Sequence, residues 1–292
     1  PRLIQKSTTQ NSTNYLYGTL SRRLKSAIDL NFAINIHPIF MKKLLIAFCF
    51  SLLASGMQAQ ADTTLQGSVR YLLTHNWTKK MAAVDYLSQQ SRERIAYMWG
   101  KRSEWKEYTT LYFSPAVSRY EESEERAEAD DMGYSWRREP LSLRRDFDKG
   151  SLSDYITMAS KTYWVEDTLV PQHWKIHNDL KEVAGHVCMK ATWEDTLKKQ
   201  KVVAWFAQDI PLQAGPERFC GLPGLILEAD LNDGALLISA DRIIMRRMGK
   251  ELDHPKKIKA KKVKEEQYTQ AIRKYMDERR KEEEPYFWGM RY

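Results

Sequence analysis

Val69, Tyr71 and Leu73 recur at every second position in "GSVRYLLT", residues 67–74, which is the period of a strand with one side buried. The period then changes. From Thr78 to Met98 the apolar positions Met81, Val84, Leu87, Ile95 and Met98 stand at mostly helical spacing among good helix formers, and this predicts one N-terminal helix. "EYTTLYFSPAVSRYEES" follows as a strand, a turn at Ser114-Pro115 and a second strand. From Ser153 to Met245, aromatic and β-branched runs alternate with turn residues, which predicts successive antiparallel strands. In "QHWKIHND" the alternation puts Trp174 and Ile176 inward and His173, Lys175 and His177 outward. After Met245 a lysine-rich linker leads to "EEQYTQAIRKYMDERRKEEE", a charged helix with Tyr268, Ile272 and Tyr275 on one narrow face. The expected fold class is α+β, mainly β: a curved antiparallel sheet with an N-terminal helix and a charged C-terminal helix.

The first methionine, Met41, opens "MKKLLIAFCFSLLASGMQAQAD". Lys42 and Lys43, the apolar Leu44–Ala54 and the small-x-small Ala59-Gln60-Ala61 describe a secretory signal peptide over 41–61. Cleavage is expected after Ala61, with Ala59 as the alternative. Residues 1–40 then read as translated upstream sequence, 62–250 as a single β-rich domain, and 251–292 as a basic linker and helical tail. The apolar run is too short to span a bilayer as a helix, and no longer one follows, so no transmembrane segment is expected in the mature chain. This changes the meaning of the charge. The chain has 46 basic and 38 acidic residues, but residues 1–61 hold seven of the basic and one of the acidic, leaving 39 against 37. The basic pI is therefore no argument for nucleic acid.

Two cysteines, Cys188 and Cys220, lie in the mature part. In an oxidising compartment an even pair is expected to be bridged, closing a loop of about thirty residues and stabilising the fold by about 3 to 4 kcal/mol on the chain-entropy account. A nucleophilic cysteine needs an adjacent base, and nothing next to Cys220 supplies one. In Gly221-Leu222-Pro223-Gly224 the proline followed by glycine fits a type II turn, and Leu225, Ile226 and Leu227 continue as a strand buried on both faces. A phosphate cradle would open a helix instead. Asn232-Asp233-Gly234 supplies a hairpin turn. The acidic run from Glu121 to Asp131 lacks the glycine-punctuated spacing of a calcium loop and reads as a solvated loop. His173 and His177, i and i+4 on a strand, stand more than ~12 Å apart, too far to share a metal.

"AWFAQDIPLQAGPERFCGLPGLILEAD", preceded by "WKIHNDLKEVAGHVCMKAT", resembles the GLPGLI family of exported Bacteroidota proteins, with the string GLPGLI at 221–226. The resemblance covers about residues 160–245 and implies a signal peptide and a mainly β core, with no biochemical activity to carry over. The curved sheet is also similar, by analogy, to lipoprotein-carrier folds built around an apolar cavity.

No catalytic, metal or cofactor motif emerges. Nine tryptophans and fifteen tyrosines suit an aromatic-lined cavity as well as an ordinary sheet core. The first functional reading is an exported, non-catalytic envelope protein, expected in the periplasm, with the cell surface or secretion as alternatives, whose curved sheet binds a lipid, another apolar ligand or an extended peptide. Its candidate binding residues are Trp174, Trp205, Phe219, Leu222, Phe287 and Trp288. The second is an assembly partner of an outer-membrane complex, joined through its C-terminal tail, the charged helix and the aromatic tip "PYFWGMRY". A secreted hydrolase would need a site near Asp209, Glu217 and Arg218.

Overall fold

The computed structural model describes residues 65–99, 104–127, 141–256 and 258–292. The chain divides at Ala61/Asp62 into two units, and only the second is described. The expected signal segment and its cleavage site, and the end of the acidic run at 128–131, lie outside the described residues.

The strands are β1 (Gly67–Asn76), β2 (Glu104–Phe113), β3 (Val117–Glu122), β4 (Leu141–Asp146), β5 (Ser151–Met158), β6 (Lys161–Thr168), β7 (Lys175–Val183), β8 (His186–Asp195), β9 (Gln200–Ala207), β10 (Leu225–Leu231), β11 (Leu236–Met245) and β12 (Lys261–Val263). The helices are α1 (Trp77–Ala83), α2 (Gln89–Trp99) and α3 (Glu265–Lys281). Among the described residues all twelve strands form one open sheet, ordered β12-β6-β5-β4-β3-β2-β1-β11-β10-β9-β8-β7. Two meanders, β1–β6 and β7–β11, join where β1 pairs antiparallel with β11. The alternation in β1 is realised: Val69, Tyr71 and Leu73 are fully buried, and the register carries the same face through Leu111 of β2, Tyr120 of β3 and Leu143 of β4.

The expected α+β class is corrected: the protein is mostly β, its sheet is mixed, and its helices are short. The single N-terminal helix does not form. Helix α1 ends at Ala83, Val84 is extended, and α2 begins only at Gln89. Arg92 explains the break. Its guanidinium donates to the carbonyls of Met81, Val84 (2.5 Å) and Leu87 (3.2 Å), taking acceptors that a continuous helix would have used itself. The Ser88 hydroxyl accepts from the Ser91 amide at 3.2 Å and starts α2. Val84 and Leu87 are buried in the break, so apolar spacing alone could not distinguish one helix from two.

The sheet is mixed because β12, read from sequence as part of a basic linker, pairs parallel with β6. Val263 is buried, while Lys262 pairs with Glu166 and lies 4.3 Å from the Trp164 ring centroid. Helix α3 follows, its Glu265 amide bonded to Asp167 Oδ2 at 3.1 Å, with Tyr268 and Ile272 buried.

The glycines before β10 divide their work. Gly221 has φ +92°, whereas Gly224 lies outside the left-handed region. A Cβ at Gly224 would collide with the Ala207 carbonyl of β9, so the type II turn expected at Pro223-Gly224 gives way to a close approach between backbones. Leu225, Ile226 and Leu227 are fully buried as expected. Asn232, Asp233 and Gly234 all take positive φ, as a hairpin turn requires. Strand β7 departs from its pattern, with Ile176 47% and Leu180 64% exposed. It is the sheet edge, where alternation no longer decides burial.

Candidate functional site

The last inward position of β1 is His75. It continues the parity of Val69, Tyr71 and Leu73, so the backbone turns an imidazole toward the buried face. Strand β1 runs straight into α1, whose first turn is capped by Asn76 Oδ1 accepting from the Lys79 amide at 2.9 Å. One turn later Lys80 folds back over the strand end, 2% exposed, with Nζ 2.7 Å from His75 Nδ1. On β2 the register sets Trp105 opposite His75 and Glu107 opposite Leu73, and His75 Nε2 lies 3.0 Å from Glu107 Oε1. One tautomer satisfies both contacts: Nε2–H donates to the carboxylate, and Nδ1 accepts from Lys80.

Arg291, just beyond the 3-10 helix Tyr286–Trp288, gathers the carboxylates. Its Nε donates to both oxygens of Glu217, at 3.1 and 2.9 Å, and Nη1 donates to Glu122 at 3.1 Å. Glu107 lies 4.0 Å away, and the Tyr120 hydroxyl donates to Glu217 at 3.2 Å. The segment carrying Arg291 is tied down by its own contacts. Gln200 donates to the Tyr286 hydroxyl at 3.1 Å, Asn232 to the Tyr292 hydroxyl at 2.7 Å, and Lys198 Nζ to the Arg291 carbonyl at 3.1 Å. Beneath it lies a cavity of about 130 Å³ walled by Trp77, Trp105 and Phe287, with Lys80, Glu107 and Arg291 on its polar side. The Lys80 ammonium position is 4.4 Å from the Tyr292 ring centroid, 5.0 Å from Trp77 and 5.7 Å from Phe287.

Burial sets the titration of this cluster. It pulls Lys80 down to about 7, with Arg291 and Lys198 adding repulsion against the opposing pull of Glu107 and Glu217. It pulls His75 down to about 4, helped by Lys80 and against Glu107. Burial alone would raise Glu107, but the hydrogen bond from His75 and the neighbouring cations more than offset it, and its carboxyl titrates below the ordinary range.

The residues expected from sequence fall in separate places. Phe287 and Trp288 line this cavity. Trp174 and Phe219 meet Trp193 elsewhere, with centroids 6.0 and 6.3 Å from it, and Trp174 Nε1 donates to the Cys220 carbonyl at 2.9 Å. Leu222 is buried core. Trp205 is half-buried under Lys181, whose Nζ binds Glu228 at 2.6 and 2.8 Å. Asp209, Glu217 and Arg218 do not converge: Asp209 pairs with His186, Glu217 with Arg291, and Arg218 with Asp154 and Glu265.

The expected disulfide is not formed. Cys188 and Cys220 are both buried free thiols. Cys188 alternates in β8 with the inward Ala191 and Trp193, so it points away from the side on which Trp193 approaches Phe219, the neighbour of Cys220. Burial, with Asp209 and Glu228 nearby, pushes the Cys188 thiol up to about 11, and burial also raises Cys220. Neither thiol is activated.

Sequence reasoning missed His75, Lys80, Trp105, Glu107 and Arg291. The one readable signal was His75, a polar residue at the buried parity of β1. Arg291, more than two hundred residues away in the chain, carries no local sign of its partners.

Residues 193–228, from β8 through the glycine turn into β10, match a family model described as "Protein of unknown function (Porph_ging)", a Bacteroidota-associated family. No curated protein matches the chain. Among solved structures, PNGF-II in its C2 and P21 crystal forms is similar at 10% identity with a TM-score of 0.47, the match covering 70% of this chain and 32% of that one. The chain thus spans about a third of the length of PNGF-II. An uncharacterized conserved protein from Thermus thermophilus is similar at 7% identity with a TM-score of 0.32, covering 67% of this chain and 90% of that one.

Proposed function

We propose that this chain is an exported, non-catalytic cell-envelope protein that holds a small, partly apolar ligand in the cavity beneath its C-terminal segment. The observation that carries this reading is the cavity itself, in which aromatic walls face a buried, mutually paired polar side. Its volume of about 130 Å³ is below the ~300–1,000 Å³ of sites for drug-sized molecules. This narrows the expectation of a lipid or extended peptide to a compact ligand. Export rests on the signal-peptide pattern at 41–61, and among the described residues no helix is long and apolar enough to cross a membrane. The tail supports ligand binding better than assembly, because Tyr286, Phe287 and Tyr292 are buried against their own domain and would have to leave those seats to reach a partner.

Native mass spectrometry of the protein purified from its own envelope tests the reading. A stoichiometric small molecule, lost when residues 285–292 are removed, is the expected result. An apo mass beside a co-purifying protein that depends on the same residues would overturn it.

A further inference from the structure

We infer that Lys80 captures small neutral aldehydes covalently, as an imine on Nζ formed inside the cavity. The inference rests on the cavity reading above and goes further by assigning the chemistry of the ligand.

A buried lysine that serves as a structural cation is paired with a carboxylate. Lys80 is not: the hydrogen-bond partner of its Nζ is the imidazole of His75, and Glu107 stands one group further back, bonded to the imidazole rather than to the amine. The Glu107–His75 contact fixes the tautomer, and the tautomer turns Nδ1 into an acceptor for one N–H of Lys80. The amine is thereby oriented with its lone pair free to face the cavity. Aromatic rings stand 4.4 to 5.7 Å from Nζ, and the side chain is buried from solvent. A desolvated amine among rings and close to other cations is the environment in which a lysine becomes a nucleophile at neutral pH, and the downward pull on Lys80 agrees with it.

The reaction balances without a further reagent. The Nζ lone pair adds to the carbonyl carbon, a C–N bond forms, and the carbonyl π pair moves to oxygen. One proton passes from nitrogen to that oxygen, with His75 Nδ1 placed to relay it. The C–O bond then breaks, water leaves with the second proton, and the imine remains. The polar wall selects the partner. Glu107, Glu122 and Glu217 surround one guanidinium, so an anionic oxo-acid meets net repulsion, whereas a neutral aldehyde of a few carbons does not.

The test is reductive trapping on the full chain: propionaldehyde with cyanoborohydride at pH 7, followed by peptide mapping. The charged and titratable groups that face Nζ are His75 on β1, Glu107 on β2, Lys198 before β9, Glu217 before β10, and Arg291 and Tyr292 at the C-terminus. At pH 7 about half of Lys80 is neutral, against less than about one in a thousand for an ordinary lysine, so propylation at Lys80 is expected to run at least about tenfold faster than at any other lysine. Glyoxylate should label Lys80 more slowly than propionaldehyde, and in urea the preference should vanish. The variant Lys80→Arg, whose guanidinium stays protonated and cannot form the imine, should lose selective labelling. If that variant does not fold, the wild-type comparison in buffer and in urea decides alone. Labelling spread over exposed lysines with Lys80 untouched overturns the inference. If the native mass spectrum still shows a bound small molecule in that case, only the imine fails, and if it shows none, the cavity reading fails with it.

Discussion

Asp154 is fully buried between two guanidinium groups. Arg145 reaches it with Nη1 and, at 3.2 Å, with Nη2, and Arg218 Nε reaches it at 2.9 Å. Arg218 also binds Glu265 at 2.9 and 2.6 Å, which ties β5 to the start of α3. Asp154→Asn would leave Arg145 without its counter-charge in the interior, so a loss of about 3 to 5 kcal/mol is expected in urea unfolding. A loss below ~1 kcal/mol would mean that the pair is solvated. His75 acts through pH. Its folded pKa of about 4 lies below the unfolded value of 6.5, so between these values the unfolded state binds more protons and stability rises with pH. His254, held by Ser142 and Ser153 at 2.9 and 3.0 Å, is also pulled down by burial to about 4 and acts in the same direction. Lowering the pH from 6.5 to 4 should therefore cost up to about 3 kcal/mol through His75. His75→Gln should flatten that part of the urea-midpoint profile. A profile equally steep in the variant would place the titration elsewhere.

Among the elements, the α1–α2 break depends on one side chain. Arg92→Ala leaves the carbonyls of Met81, Val84 and Leu87 without their donor, and a loss of about 1 to 3 kcal/mol is expected on denaturation. A rise in helix content in the variant would show that Arg92 imposes the break, and unchanged helix content would mean that other contacts hold it. The β9–β10 contact is similarly specific. Gly224→Ala sets a methyl against the Ala207 carbonyl and should cost about 1 to 3 kcal/mol by overpacking, whereas the same change at Gly150, which has open space around it, should cost only the smaller strain of its φ of +57°. How legible each element was in sequence follows from these contacts. Strand β1 was readable because one face is buried and the period shows it, and β2, β3, β5 and β6 were readable from their aromatic and β-branched runs and the turn residues between them. The edge strand β7 was readable as a strand but not in the exposure of Ile176 and Leu180, and the three-residue β12 was not readable, since edge position and pairing partner are properties of the whole sheet.

For the whole molecule, the decisive feature is the return of the C-terminus. Residues 285–292 close the cavity and deliver Arg291 to three carboxylates drawn from β2, β3 and the loop before β10. Removing the segment leaves those carboxylates facing one another, uncovers Trp77 and Trp105, and breaks the ties to Gln200 and Asn232. The expected outcome is a lower thermal midpoint together with red-shifted tryptophan emission. An unchanged emission maximum would mean that the segment does not cover those rings. The thiols offer a second check on the assembled fold. The folded protein should resist thiol reagents and release two reactive thiols only on unfolding, in line with the burial of Cys188 and Cys220. A chain with no free thiol after unfolding would restore the bridge.

The sequence by itself determined the β-rich character, the buried face of β1, the fully buried run at Leu225–Leu227, the Asn232-Asp233-Gly234 hairpin and the narrow apolar face of α3. Each of these is a local rule: period, turn chemistry or the absence of a polar break. Only the tertiary structure decided that Cys188 and Cys220 stand apart, that the lysine-rich stretch adds a parallel strand, that the aromatic tip packs on its own domain, and that His75, Lys80, Glu107 and Arg291 share one cluster. Those outcomes depend on which strand lies beside which and on where a distant segment comes to rest. Burial then acts on the assembled group, shifting its protonation states in ways that none of its residues shows alone.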